Sequence, residues 1–437
     1  MMKGDAAVVP APPGTPSGSH RPARPPALVR ALNGLYARAP LGMRLGLEPM
    51  RAACTRAGNP ELAFEVAHVA GTNGKGSTCA MIESMVRAEG KRTGLYTSPH
   101  LCRFAERIRI DGAPIADAAL ADVLERALEL GPDLSFFEVA TLAAFLAFRD
   151  ANVEVAIVEV GIGGRLDATN VVPKPRITAV TRVAFDHMDL LGDTLEAIAR
   201  EKAGITKPGV PLVLGPMAPE VRAAALEVAL RAGALPIVLG DDPDAVALES
   251  LPIGLRGAYQ QDNARIAARV ARELGVSKAA RQEGLARTSW PGRFEHLEIE
   301  AGPYRGAWLL DGAHNPDGAR ALVLALADEA ARGAPAPGAM VFGALADKAW
   351  AEMLEALAEV PCPRVYVAPK GRAAADPAQL AERLEGRVSD SLEGGLQAAR
   401  AAAGGHASPI VVCGSLYLVG AVRALLLDLD TDAPVAL

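Results

Sequence analysis

Three glycines, Gly71, Gly74 and Gly76, flank Asn73 and Lys75 in the stretch HVAGTNGKGST, residues 68–78. Glycines at this spacing let backbone N–H groups turn inward with no Cβ in the way. A lysine among them supplies a point charge of the kind that reaches the β- and γ-phosphates of a nucleotide. An apolar run at 62–67 precedes the stretch and reads as a buried strand. Met81, Ile82, Met85 and Val86 follow it with helical spacing. Strand, glycine-rich loop and helix is a phosphate-binding arrangement, and a helix start near Ser77 would add its positive dipole end. The loop departs from the G-x-x-x-x-G-K-[ST] form at two places. Val69 stands at the first glycine, and Gly76 stands where the hydroxyl residue belongs, with Ser77 one position later. A glycine turn with a surface lysine is the competing account, and the strand-loop-helix context speaks against it.

Further candidates sit where strands end. NVEVAIVEV, residues 152–160, is the clearest buried strand, and it runs into GIGGRLDATN, residues 161–170, which carries Arg165, Leu166, Asp167 and Asn170. In an open α/β sheet such strand ends line the ligand crevice. Glu159 ends this apolar strand. A buried carboxylate is costly without a partner, and a cation is a natural one. Mg²⁺ carried with ATP takes hard oxygen ligands of this sort. Asp186-His187 leave a second strand, and Glu201-Lys202 lie side by side on the next helix. Ser98 occupies a Thr-Ser-Pro-His turn, and DGAHNPDGAR, residues 311–320, sits at another strand exit. Taken singly, Ser98, Glu159, His187 and Lys202 each have an ordinary structural explanation.

The elements that must position these residues alternate strand and helix along 437 residues. That length suits two or three domains, and a 50% hydrophobic composition can fill large cores. The pattern is α/β: an N-terminal P-loop-type parallel-sheet ATPase domain plus a smaller C-terminal Rossmann-like α/β domain. The boundary falls at WPGRFE, which divides 27–290 from 291–437. Residues 1–26, rich in proline, read as a disordered tail. Short helices are expected at 28–38 and 47–57, and strands include 210–215 and 235–240. YQQDNARIAARVAREL reads as a helix with Gln260 and Asn263 in its first turns. A net charge of −6 gives no reason to expect nucleic acid or a membrane surface as partner. Five cysteines without CxxC spacing read as reduced thiols, which implies a cytoplasmic protein.

The chain resembles the folylpolyglutamate synthase/dihydrofolate synthase family, a branch of the Mur ligase-like ATP-dependent amide ligases. The stretches that carry the resemblance run in family order: GTNGKGS (71–77), YTSPHL (96–101), ERIRIDG (106–112), FFE (136–138), VEVGIGGRLDATN (158–170), DHMDLLGDT (186–194), IAREKAGI (198–205), PGRFE (291–295) and DGAHNPDG (311–318). Tyr259 stands where the family often has histidine. The resemblance implies that Thr72, Asn73, Gly74, Lys75, Gly76 and Ser77 hold ATP phosphates, with Asn263, Arg293, Asp311 and His314 as further nucleotide contacts. It implies Ser98, Glu159 and His187 as Mg²⁺ ligands and a carbamylated Lys202 supporting a second ion. Lys75, Lys202 and His187 are then the catalytic candidates. Phe136, Phe137, Glu138, Arg165, Leu166 and Asp167 match the pterin side.

The implied reaction joins a dihydropteroate or reduced-folate carboxylate to L-glutamate through an acyl phosphate, at the expense of ATP, in a monomer. A Mur-type peptidoglycan ligase is the rival enzyme reading, and FFE and YTSPHL argue against it. A nucleotide-dependent regulatory protein is the rival from another class. Glu159, His187 and Lys202 together argue against that, because a switch has no need of a second metal ligand set.

Overall fold

The computed structural model describes residues 24–41, 46–239 and 252–432. The proline-rich tail lies outside the described residues up to position 23, as does Gly240 at the end of the expected 235–240 strand. The chain divides into two compact units. Among the described residues the N-terminal one holds 24–41, 46–239, 252–255 and 259–290, and the C-terminal one holds 256–258 and 291–432.

The N-terminal unit runs α1 (Pro26–Tyr36), α2 (Glu48–Arg56), β1 (Glu65–Ala70), α3 (Lys75–Ala88), β2 (Thr93–Tyr96), β3 (Ile108–Ile110), β4 (Ala113–Pro114), α4 (Asp117–Leu130) and α5 (Phe136–Asp150). It continues with β5 (Val155–Glu159), β6 (Ile177–Val180), α6 (Met188–Leu191), α7 (Leu195–Ala203), β7 (Pro211–Leu214), α8 (Pro219–Arg231), β8 (Leu235–Val238), α9 (Gln260–Glu273) and α10 (Lys278–Arg287). Eight strands form one sheet in the order β4-β3-β2-β5-β1-β6-β7-β8. Among the described strands the pairings are parallel except at β3, which runs antiparallel to both of its neighbours, β2 and β4.

Both faces of this sheet are covered, so its central strands are mostly apolar, with His68 and Thr178 as buried polar exceptions. Alternate residues separate the two cores. Ala67, Val69, Val155 and Ile157 pack under α3 and α9. Val66, Ala156 and Val158 face α5, α4 and α1. Helix α5 starts at a capping box: Glu138 accepts from the Ser135 backbone N–H at 2.8 Å and from its hydroxyl at 2.7 Å.

Two expected boundaries move. The strand expected at 62–67 is β1 at 65–70, because Pro60–Leu62 form a 3-10 turn. The buried polar His68 interrupts the apolar run that would have marked the true end. The helix expected near Ser77 begins at Lys75, capped by Gly74 in the left-handed region at φ 86°. Pro26, assigned to the tail, is the first residue of α1, where its missing N–H costs nothing.

The C-terminal unit runs β9 (Glu295–Ile299), β10 (Gly306–Leu310), α11 (Pro316–Ala331), β11 (Ala339–Phe342), α12 (Trp350–Leu357), β12 (Arg364–Tyr366), α13 (Pro377–Arg383), β13 (Arg387–Val388), α14 (Leu392–Ala402), β14 (Ile410–Cys413) and α15 (Leu416–Leu427). Its sheet order is β13-β12-β11-β14-β10-β9, parallel except for β9. No helix among the described residues is long and apolar enough to cross a membrane.

Candidate active site

Strand β1 lies between β5 and β6, and the chain moves to opposite sides of it, toward β2 first and toward β6 later. This makes a switch point at the carboxyl ends of the strands, where an open α/β sheet offers a crevice. The loops leaving β1, β5 and β6 meet there.

The loop after β1 is fastened to the exit of β6. Thr72 N–H donates to Arg182 O at 2.7 Å, and the Thr72 hydroxyl donates to Ala184 O at 3.0 Å while accepting from Ala184 N–H at 3.1 Å. Thr181 donates to Asn73 O at 2.8 Å. Two glycines are required by their surroundings. A Cβ on Gly71 would lie 1.8 Å from Thr181 Oγ1, and one on Gly74 would lie 2.2 Å from Asn263 Oδ1. Asn263 is in turn held by Gln260 Oε1 at 2.9 Å, and Gln260 reaches the Ser77 hydroxyl at 3.3 Å. The N-terminus of α9 thereby buttresses the N-terminus of α3. Thr181 was not singled out from the sequence, because its role depends on the strand order, which one sequence does not display.

Two lysines converge on one carbonyl. Lys75 Nζ donates to Gly71 O at 3.0 Å and to Thr72 O at 3.1 Å, and Lys202 Nζ donates to the same Gly71 O at 3.0 Å. Lys202 is buried on α7. Burial first, and then the neighbouring Lys75 charge, lower its pKa to about 7 against the opposing pull of Asp186 and Asp167. Lys202 therefore gives up its proton far more readily than an exposed lysine, which eases the repulsion of two ammonium groups at one acceptor.

Glu159 is buried at the end of β5, and its Oε2 accepts the Ser98 N–H at 3.1 Å. The structure therefore brings together two of the three residues expected at a metal. His187 stands in the left-handed region at φ 51°, with Nε2 3.8 Å from Asp186 Oδ1. Among the described residues no three His, Cys, Asp or Glu side chains gather as a metal cage. Glu159 Oε2, 3.7 Å from where a Cβ on Gly76 would lie, sets a carboxylate beside the phosphate loop, and a hard oxygen of this kind is what Mg²⁺ takes along with waters and substrate phosphates.

The glycine-rich turn after β5 is organised by Asp167. Its carboxylate accepts the Ile162 N–H at 3.0 Å and the Thr169 N–H at 3.0 Å, together with the Thr169 hydroxyl. Burial raises its pKa, opposed by these donors. The Thr169 hydroxyl lies 2.8 Å from His68 Nε2, and burial depresses His68 to about 3, so this imidazole is neutral. His68 passed unnoticed in the sequence because it lies inside a strand. Arg165 points outward and pairs with Glu201 at 2.9 Å, and Leu166 next to it is half-buried. Phe136 is fully buried, 5.3 Å from the Arg107 guanidinium and stacked 6.2 Å from Tyr36. Phe137 is half-buried and packs over Gly161.

In the C-terminal unit, Asp311 ends the β10 region. Its carboxylate accepts the Ala313 and Phe294 N–H groups, each at 2.9 Å. The Arg293 guanidinium lies over Gly312, where a Cβ would come within 2.1 Å of Nη1. His314 Nδ1 is 2.8 Å from Gly312 O. Arg293, Asp311 and His314 thus gather at one strand exit. Asn315 then caps α11 through Gly318 N–H at 2.8 Å.

Both units are similar to known proteins in sequence and fold. The Mur ligase middle domain matches residues 69–213, and the Mur ligase glutamate ligase domain matches residues 292–416. The folylpolyglutamate synthase of Lacticaseibacillus casei is 38% identical over 405 residues, covering 85% of this chain and 92% of that protein. The Escherichia coli FolC structure in complex with DHPP and ADP superposes with a TM-score of 0.80 at 34% identity, covering 92% of this chain and 98% of that one. The bifunctional folylpolyglutamate synthase/dihydrofolate synthase of Yersinia pestis, complexed with AMPPNP and Mn ion, gives a TM-score of 0.79 at 33% identity, covering 92% and 99%. Fold, motif order and similarity over nearly the whole length agree, and the chain belongs to the folylpolyglutamate synthase/dihydrofolate synthase family of ATP-dependent ligases.

Proposed function

We propose that this ligase adds L-glutamate to the carboxylate of dihydropteroate, of reduced folates, or of both. The observation that carries the reading is the convergence of Lys75 and Lys202 on Gly71 O beside the buried Glu159. A phosphate loop alone serves many reactions. A buried lysine of lowered basicity at the same loop is suited to carry the carbamate that the resemblance implies, and the relatives' bound ligands support the folate class.

A carboxylate is a poor electrophile, so it must be activated. The acceptor carboxylate attacks the γ-phosphorus of ATP, the bond to the bridging oxygen breaks, and ADP departs from an acyl phosphate. The glutamate amine then attacks the acyl carbon, loses a proton, and expels phosphate. Backbone N–H groups of residues 74–77 and the Lys75 ammonium hold the phosphates and offset charge on the transferring group. For this Lys75 leaves the loop carbonyls it holds here. Ser98, Glu159 and His187 would hold Mg²⁺, which supplies charge neutralisation at the phosphate oxygens. Lys202, as a carbamate formed from CO₂ with release of a proton, would present a carboxylate toward a second cation. Asp167 fixes the turn that bears Arg165 and Leu166, and Phe136 and Glu138 fix the start of α5 that presents Phe137 toward the acceptor. For Arg293, Asp311 and His314 as nucleotide contacts, the support is the family resemblance and their gathering at one strand exit.

The test is phosphate release by the purified protein with MgATP and L-glutamate, comparing 7,8-dihydropteroate with tetrahydrofolate. Acceptor-dependent release with either is expected, and release with both marks a bifunctional enzyme. Release that ignores both acceptors contradicts the folate assignment.

A further inference from the structure

Trp290 is a residue that neither the loop chemistry nor the family motifs use. It is half-buried and belongs to the N-terminal unit. The Arg109 guanidinium, which also reaches Gly112 O at 3.3 Å, sits 4.9 Å from its ring centroid and fixes the indole by a cation–π contact. The fixed ring aims its polar edge at the phosphate loop. A Cβ on Gly76 would meet Trp290 Nε1 at 3.0 Å and Glu159 Oε2 at 3.7 Å.

Gly76 stands where the common loop form carries the hydroxyl that reaches the metal. The space such a side chain would enter is therefore bordered by an indole N–H donor and a buried carboxylate. Indole nitrogen donates and does not accept. Among the described residues no acceptor takes up this N–H. Trp308, by contrast, spends its N–H on Tyr304 O at 2.8 Å. A donor and an anion facing one gap suit a bound group that brings both an anionic oxygen for the N–H and a cation for the carboxylate. A metal-bound phosphate is such a group.

We propose that Trp290 is a nucleotide ligand of this site, donating its indole N–H to a phosphate oxygen of the bound metal–nucleotide. This rests on the ligase reading above. It also gives Gly76 a reason: a methyl group there would crowd the indole nitrogen at 3.0 Å and push the ring off its position by a few tenths of an ångström.

The test uses the full chain labelled with ¹⁵N and follows its three indole N–H signals, with the Trp290 signal assigned from Trp290→Phe. The probe is Mg²⁺ with the imido analogue of ATP. On binding, the Trp290 signal is expected to move downfield while that of Trp308 stays in place. Trp290→Phe keeps an aromatic face for Arg109 and loses the donor. It is expected to bind the probe roughly tenfold more weakly by calorimetry, the order of one hydrogen bond to a charged group, with an unchanged melting temperature without nucleotide. Gly76→Ala is expected to weaken binding in the wild-type background and to add little in Trp290→Phe. Should the Phe variant fail to fold, Trp308→Phe and Trp350→Phe assign the wild-type signals by elimination, and the wild-type spectrum decides. A wild-type chain that binds the probe with an unmoved Trp290 signal overturns this inference alone. A wild-type chain that binds no probe overturns the ligase reading and this inference with it.

Discussion

Lys202 shows how burial converts an ordinary residue into a reactive one. In the sequence it is a helix lysine beside Glu201, and the motif alone marks it out. Its buried Nζ reaches the Gly71 carbonyl, more than a hundred residues away, so no local pattern carries the information. The consequence is measurable. The unfolded side chain keeps its proton up to about pH 10.5 and the folded one only up to about 7. Between these values the unfolded chain binds the extra proton, so the stability of the wild type rises with pH across that window. Below about pH 7 both states are protonated and the full cost of burying the charge is present. In CO₂-free buffer Lys202→Met is therefore expected to melt above the wild type, with the gap widest below pH 7 and closing toward pH 10.5. A gap that does not change with pH would argue against the buried, weakly basic amine. Glu159 was easier to read, since a carboxylate ending an apolar strand already calls for a partner. Trp290 was not legible, because its partners Arg109 and Gly76 are brought to it by two separate elements, β3 and α3.

The phosphate cradle is a junction of elements more than a property of the motif. Helix α3 begins at a left-handed glycine, not at the serine that capping preferences favour, and so its start lies two residues earlier than the sequence suggests. The loop is then fixed by Thr181 beyond β6 and by Asn263 on α9. A side chain at Gly74 faces both the left-handed backbone cost, about 1–2 kcal/mol, and the collision with Asn263 Oδ1. Gly74→Ala is expected to lower stability by about 1–3 kcal/mol in denaturant titration and to weaken ADP binding by at least tenfold in calorimetry. A variant that binds ADP like the wild type would show that the α3 terminus is not the phosphate cradle. Strand and helix identity was largely legible, because buried parallel strands such as β5 are short apolar runs with sharp ends. The register of β1 was not, since His68, a polar residue satisfied only by Thr169 across the fold, hides the strand's continuation.

On the scale of the whole chain, alternating strands and helices announced α/β architecture in both halves, and each half does carry a mostly parallel sheet. The strand order was out of reach, because it is set by which crossover each helix packs against. That order places the exits of β1, β5 and β6 together and makes one site of residues spread from 68 to 202. The central claim is that this site activates a carboxylate as an acyl phosphate. An acceptor labelled with ¹⁸O in its carboxylate tests it most directly, with the released phosphate analysed by mass spectrometry after turnover with MgATP and L-glutamate. The reaction transfers one carboxylate oxygen to phosphorus, so phosphate carrying one ¹⁸O per amide formed is the expected result. Unlabelled phosphate accompanying amide formation would contradict the account.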